Sequence, residues 1–157
     1  MASTQSSMKL FANQAIEMFD HDPGSTAATL CSADGGTTIN YVDMRDCGKF
    51  AVAAMASTLT GSGITLLEIV ACPDTAFTAN VTQIKTSGTV AADAVGDYVV
   101  EECTAEEVNA LGKASSLDLR YAAARLTCQN AADEAVVVYI QADLRFGYSG
   151  VTADTIA

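Results

Sequence analysis

The sequence predicts an all-β protein: an antiparallel sandwich or jelly-roll-like barrel of about seven or eight short strands, with one short helix and an N-terminal arm. Two observations favour this fold. Short apolar runs rich in β-branched residues recur along the chain, and Gly-, Asp- and Asn-containing turns separate them. Half of the 157 residues are hydrophobic but only 6% are aromatic, so Ala, Val, Ile and Leu must fill most of the core.

Three regions are predicted: an N-terminal arm at 1–25, a β-sandwich domain at 26–147 and a flexible C-terminal tail at 148–157. In the arm, Lys9 to Phe19 carries apolar residues at helical spacing. This stretch fits a short amphipathic helix or an extended segment that lies on a neighbour. Its apolar residues have no obvious place in a strand-rich body, so we expect another chain to order the arm.

The strands are predicted from apolar runs bounded by turns. Lys49 to Ser57 alternates, and Ile64 to Ala71 is apolar on both faces, which is typical of a central strand. Gly61 to Gly63 and Gln129 to Asp133 are interpreted as hairpin loops. The other predicted strands are 26–32, 37–44, 97–103, 119–128 and 135–144, and 73–96 is interpreted as loops with a short strand or two.

One helix is predicted, from Ala105 to Leu111. Thr104 and Glu107 have the spacing of a capping box, and Gly112 is a natural helix stop. A pair of carboxylates such as Glu106 and Glu107 can hydrolyse glycosides. A helix N-terminus also favours negative charge, and Trp is absent, so we interpret the pair as structural.

The charge balance excludes several classes of function. Eight Lys and Arg against 19 Asp and Glu give a net charge of −11, which repels phosphate backbones and anionic membranes. No apolar run approaches the length of about 20 residues that a membrane-spanning helix needs, and no signal peptide is visible. We therefore expect no nucleic-acid or membrane partner and synthesis in a cytoplasm.

The single histidine, His21, is flanked by Asp20 and Asp22, which suggests a metal ligand set or a polarised base. Neighbouring residues of an extended segment point to opposite sides, so a solvated loop is the preferred interpretation. Ser-His-Asp or Cys-His catalysis would need His21, and no G-x-S-x-G motif accompanies it. We expect His21→Ala to change stability by no more than about 0.5 kcal/mol.

Four acidic residues could be offered as calcium ligands, but their spacing does not follow an EF-hand loop. The segment Gln83 to Gly88 contains a Lys-Thr pair without the preceding glycines of a phosphate-binding loop. The sequence therefore predicts no catalytic residue, cofactor or metal. The four acidic candidates are Asp93, Asp97, Glu101 and Glu102.

The five cysteines are spread along the chain and form no C-x-x-C pair. Five is an odd number, so they cannot all pair within one chain. Reduced, structural thiols are the preferred interpretation, with one or two disulfides or a metal site as alternatives. The cysteines are Cys31, Cys47, Cys72, Cys103 and Cys128.

Four passages give the chain a resemblance to known proteins. A polar turn leads into an apolar strand, a long central strand follows, and a penultimate strand precedes a closing apolar strand. In this order the region 26–147 resembles the jelly-roll-like capsid decoration (cement) and head-associated virion proteins of tailed bacteriophages. The passages are Ile39 to Met44 with Gly48 to Val52, Gly63 to Val70, Leu119 to Thr127, and Ala135 to Leu144 followed by Arg145-Phe146.

The resemblance implies a structural virion protein that binds and stabilises the outside of a capsid shell. It implies the major capsid protein as partner, a homo-oligomer with a trimer as first expectation, and no catalytic site. A tail or neck component, a small carbohydrate- or host-surface-binding module and an enzyme remain alternatives. We also expect Leu66→Asp, a charge in the central strand, to prevent folding.

Overall fold

A computed structural model of the protein describes residues 14–33, 38–61 and 63–144. These residues form nine strands and one helix, which follow one another along the chain. They are β1 (Gln14–His21), β2 (Thr29–Leu30), β3 (Val42–Asp43), β4 (Lys49–Thr58), β5 (Ile64–Cys72), β6 (Thr82–Thr86), β7 (Tyr98–Thr104), α1 (Ala105–Ser115), β8 (Tyr121–Cys128) and β9 (Glu134–Ala142).

The strands form two antiparallel sheets. The first sheet has the order β1-β9-β4-β7, and the second has the order β2-β8-β5-β6, with β3 also paired to β8. Neither sheet closes on itself within the described part of the chain, so the architecture is a sandwich rather than a barrel. The predicted all-β fold with one short helix is confirmed.

Apolar side chains of both sheets fill the space between them. Phe50 of β4 and Phe19 of β1 contact the ring of Tyr139 edge-on, with centroids 4.9 and 5.2 Å away. The Tyr139 hydroxyl accepts the Ala124 N–H at 2.8 Å and donates to the Asn40 carbonyl at 3.1 Å. Burial of each such large side chain stabilises the fold by about 1.5–3 kcal/mol, and this hydroxyl also ties the sheets together.

The central strand β5 contributes Leu67 and Ile69 to the core, both fully buried. An irregularity in its pairing with β8, between Ile64 and Leu66, shifts the register. Leu66 is therefore half-buried on the outer side of the second sheet. The residue whose replacement by Asp should prevent folding is Leu67, which corrects the choice of Leu66 made from the sequence.

The two loops interpreted as hairpins are not hairpins. Gly61 to Gly63 joins β4 of the first sheet to β5 of the second, and Gln129 to Asp133 joins β8 of the second sheet to β9 of the first. Both loops cross between the sheets at the same end of the sandwich. Turn residues show where the chain reverses, but they do not show which strand the next one pairs with.

The buried carboxylate of Asp133 holds the two crossing loops together. Burial raises the pKa of Asp133, but N–H groups donated by the loops outweigh this effect, so its pKa lies below the ordinary value. The donors are the backbone N–H groups of Thr60 at 2.7 Å, Gly61 at 3.0 Å, Gly63 at 3.2 Å and Asn130 at 3.1 Å.

The sandwich begins earlier than predicted. Residues 14–21 of the predicted arm are β1, an edge strand of the first sheet that pairs along its whole length with β9. Phe19 is buried against Tyr139, whereas Met18 faces outward. Because β1 carries apolar residues on both faces, its sequence does not alternate clearly between apolar and polar residues. The same residues also fit helical spacing, which therefore does not identify a helix here. Residues 1–13, 145–147 and the predicted tail 148–157 lie outside the described residues.

The predicted helix start is confirmed. The Thr104 hydroxyl accepts the Glu107 N–H at 3.2 Å, and the Glu107 carboxylate accepts the Thr104 N–H at 2.9 Å. The helix runs past Gly112 and ends at Ser115, with Ser116 in the left-handed conformation. Gly112 is needed for packing instead, because a Cβ there would lie 2.7 Å from the Leu117 carbonyl oxygen.

Candidate functional site

His21 is almost completely buried at the end of β1, so the predicted solvated loop is wrong. Its Nδ1 accepts the Ser32 backbone N–H at 3.3 Å, which leaves the proton on Nε2 to be donated to the Thr29 hydroxyl at 3.2 Å. Burial lowers the pKa of His21, and Ser32 and Asp22 raise it only in part. The ring therefore acts as a neutral tie between the edge strand and the segment that carries β2.

The carboxylates singled out from the sequence have structural partners or remain exposed. Glu107 caps α1 and also binds Lys85, with Oε1 and Nζ 2.5 Å apart, and these contacts lower the pKa of Glu107. Asp97 accepts the Ala94 N–H at 3.1 Å. Within residues 14–33, 38–61 and 63–144, no three His, Cys, Asp or Glu side chains come close enough together to hold a metal ion.

All five cysteines are buried as free thiols. Burial raises the pKa of Cys103 to about 12 and that of Cys128 to about 11. It also raises the pKa of Cys31 and of Cys72 above the ordinary range. A thiol must ionise to act as a nucleophile, and burial opposes this ionisation in these four cysteines.

The surface of the described residues has open hollows, of which two are large enough to admit a small ligand. One, of about 450 Å³, lies beside the start of α1 and is lined by Lys49, Lys85, Glu102 and Glu107. The other, of about 430 Å³, lies between the 90–92 segment and the start of β7. Every buried side-chain nitrogen and oxygen of the described residues already has a hydrogen-bond partner. Neither hollow therefore presents an unused buried polar group to a ligand.

The largest unusual feature is the side of the first sheet that faces away from the core. We call it the apolar outer face. Five of the eight most exposed large apolar side chains among the described residues belong to it, with exposures from 41% for Met55 to 71% for Met18. Its members are Ile16, Met18, Ala51, Ala53, Met55, Tyr98, Val100, Val136, Val138 and Ile140.

The strand pairing arranges these residues in three rows that cross all four strands. In the row of Ile16, three residues also line the hollow beside the start of α1, together with Lys85 and Glu107: Ala51, Glu102 and Ile140. The middle row contains no polar side chain, and one charged residue ends each outer row. From one end of the strands to the other, the rows are Ile16, Ile140, Ala51 and Glu102; Met18, Val138, Ala53 and Val100; and Asp20, Val136, Met55 and Tyr98.

Further charged residues lie at the two ends of the apolar outer face. Lys49 is exposed beyond the row of Ile16, and Glu134 is exposed beyond the row of Asp20. At about 4.8 Å between strands and about 3.4 Å per residue, the three rows cover roughly 400 Å². A chain with a net charge of −11 thus has a surface of this size with few charged residues. The largest apolar patch of a typical monomer covers about 300–600 Å² and is often functional, so this face is a candidate interaction surface.

Sequence reasoning missed this face, although a signal was present. In β4 and β9, both the inward and the outward residues are largely apolar. This pattern is typical of strands that are covered on both sides.

No helix in the described ranges is long and apolar enough to cross a membrane. No protein-family model matches the sequence, and no curated protein matches it significantly.

Proposed function

We propose that the protein is a structural component of a tailed-bacteriophage particle, a decoration or cement protein that binds the outside of the capsid shell and reinforces it. Its partners would be the major capsid protein and further copies of itself. The observation that carries the proposal is the apolar outer face, a surface of roughly 400 Å² on which only Asp20 and Glu102 are charged.

Three further features support assembly rather than chemistry. The candidate acid–base groups, His21 and Glu107, are engaged in structural hydrogen bonds. Burial raises the pKa of Cys103 and Cys128, which disfavours their reactive thiolate forms. The crossing loops are tied by Asp133, which makes the sandwich a well-defined body that can present a fixed surface.

A decoration protein does not need a large contact with each shell subunit. Many copies bind one lattice, so contacts that are weak singly become strong through repetition. The modest size of the apolar outer face, compared with about 800 Å² per partner in a standard interface, agrees with such a role.

The test uses particles of the virus that encodes the protein. We expect purified particles to contain it, and electron microscopy of antibody-labelled particles to place it on the head. Deletion of its gene should leave heads that lose their DNA at a lower temperature. Supplying the wild-type protein should restore the heat resistance, and supplying Leu67→Asp, which cannot fold, should not.

Two results would contradict the proposal. Label found only on the tail or neck would make the protein a component of that part. Its absence from purified particles would exclude a virion role, and binding to defined sugars on a glycan array would then point to a carbohydrate-binding module.

A further inference from the structure

One side of the sandwich is closed where its two edge strands meet. β1 is the outermost strand of the first sheet, β2 is the outermost strand of the second, and residues 22–28 connect them. His21, at the end of β1, bonds Thr29 of β2 and the Ser32 N–H. We call residues 21–32 the histidine seam. From this placement we infer that His21 is an acid-sensitive switch: protonation of its ring opens the histidine seam while the rest of the sandwich stays folded.

The hydrogen bonds of the ring fit only its neutral form. Nδ1 accepts the Ser32 backbone N–H at 3.3 Å, and an amide N–H can only donate. A protonated ring carries N–H on both nitrogens, so two donors would face each other at Ser32. The ring is 1% exposed, so the seam must open before water can solvate the charge. Protonation and closure therefore oppose each other.

The first sheet supplies little charge to stabilise a protonated ring. Asp22 follows His21, and its field raises the pKa of the ring by less than burial lowers it. Asp20 is exposed on the opposite side of β1, and Glu134 of β9 is exposed. The buried carboxylate of Asp133 is already bound by backbone N–H groups of the crossing loops.

The second sheet does not stabilise a protonated ring either. Arg125 of β8 binds Glu68 on the outer side of that sheet. The Cys31 thiol lies within the seam, and burial raises its pKa, so it stays neutral in mild acid. A closed seam therefore favours the neutral ring, and the proton is bound more readily when the seam is open.

The seam can open without the rest of the fold because few bonds hold it. β2 pairs with β8 at two positions, whereas the central strand β5 pairs with β8 at eight. Within residues 22–28, Gly24 and Ala27 donate to side chains of the same loop, and most of the loop is exposed. Such weakly held segments open at a lower free energy than the whole domain.

Linkage between protonation and opening sets the expected size of the effect. In an open seam the ring has the ordinary pKa of about 6.5, whereas burial keeps the pKa of the closed ring lower. The closed seam therefore loses stability as the pH falls below 6.5. The ratio of open to closed seams should rise by up to about tenfold between pH 7.5 and pH 5.5.

The first experiment labels thiols of the full chain with a pyridyl disulfide reagent and measures each site by mass spectrometry. Cys31 is fully buried in the seam, and Cys103 of β7, at the far side of the sandwich, is the matched internal control. The rate at Cys31 relative to Cys103 should rise by up to about tenfold from pH 7.5 to pH 5.5. The ratio within one sample cancels the effect of pH on the reagent and on thiol ionisation.

Variants separate protonation from loss of a bond. His21→Asn and His21→Gln cannot be protonated, so in each the Cys31 rate relative to Cys103 should be the same at both pH values. Thr29→Val removes one bond of the ring but leaves its titration intact, so labelling should be faster at both pH values with the same rise in acid. Circular dichroism checks that each variant is folded. A rise in acid that persists in both His21 variants would overturn the inference.

The second experiment, amide hydrogen exchange corrected for the intrinsic effect of pH, tests whether the opening is local. The Cys31 N–H, which donates to the Ala124 carbonyl at 2.9 Å, should lose protection between pH 7.5 and pH 5.5, whereas amides of β4 and β5 should not. Equal loss in β4 and β5 would mean global unfolding and would overturn the local switch. The inference does not depend on the proposed function, because neither experiment involves a virus particle.

Discussion

The two sheets of the sandwich differ in what covers their outer sides. On the second sheet, the loop between β5 and β6 folds back, and Phe77 packs over Val70 and Ala123. Glu68, also on this side, is 5% exposed, and Arg125 donates to its carboxylate at 2.7 Å. On the first sheet, Met18 and Val100 are more than half exposed, and no described element lies over them.

The difference shows that apolar outward residues have two uses in one molecule. Where the chain provides its own cover, they contribute to the stability of the monomer. Where the chain provides no cover, apolar outward residues contribute little to the stability of the monomer. They remain available to contact another protein. Substitutions of similar size should therefore have large effects on the second sheet and small ones on the first.

The largest effect is expected from Phe77→Ala. Removal of a buried ring should cost about 3–4 kcal/mol of unfolding free energy, measured by urea denaturation. Cys72 lies under the same loop, and its thiol contacts the Ala79 carbonyl oxygen at 3.1 Å. In the folded Phe77→Ala variant, Cys72 should be alkylated faster than in the wild-type protein, whereas the rates of the other four cysteines should not change. Equal acceleration at all five would mean global unfolding rather than loss of the cover.

Arg125→Ala should cost about 3 kcal/mol, because it leaves the buried Glu68 carboxylate without its cation. The double variant Glu68→Gln/Arg125→Ala removes that charge and should regain much of the loss. Urea denaturation of both proteins gives the comparison. Equal stability of the single and double variants would show that water already solvates Glu68.

His21 should give a smaller, pH-dependent effect. Its pKa is lowered in the folded protein, so the unfolded chain binds a proton more readily, and stability should fall as the pH drops below about 6.5. The chain has no other histidine, so thermal unfolding between pH 7.5 and 5.5 isolates this group. His21→Asn should be less stable by about 1 kcal/mol at pH 7.5 and should lose this dependence. If the stability of His21→Asn falls with pH as steeply as that of the wild-type protein, the pH dependence comes from other groups.

The smallest effect on stability is expected from Met18→Ser on the apolar outer face, within about 0.5 kcal/mol. Thermal unfolding measured at low protein concentration checks this. A loss as large as that of Phe77→Ala would mean that the face is covered within one chain, and the contrast between the sheets would disappear.

The sequence predicted what depends on local patterns. The strands β4 and β5 lie within one or two residues of the predicted bounds, and the capping box of Thr104 and Glu107 is present as expected. These features depend on alternation and on spacing of three residues, which the sequence displays directly.

The features that it did not predict depend on pairing between distant segments. β1 pairs with β9, which lies at the other end of the described chain. Asp133 binds a loop that begins at Thr60, and His21 is buried by the segment of Thr29 and Ser32. No local pattern marks such contacts, so an edge strand was interpreted as an arm and a buried histidine as a solvated one.

The position of β9 has a consequence for synthesis. Of the described strands it is the last to leave the ribosome, but it lies inside the first sheet, between β1 and β4. Until β9 emerges, β1 has no neighbouring strand in the first sheet, and β4 is unpaired on one side. Both edges can complete their hydrogen bonds only with β9. Nascent chains on neighbouring ribosomes expose the same edges, and strand exchange between them would give swapped assemblies. Correct folding therefore depends on how soon translation finishes β9 relative to encounters between incomplete chains.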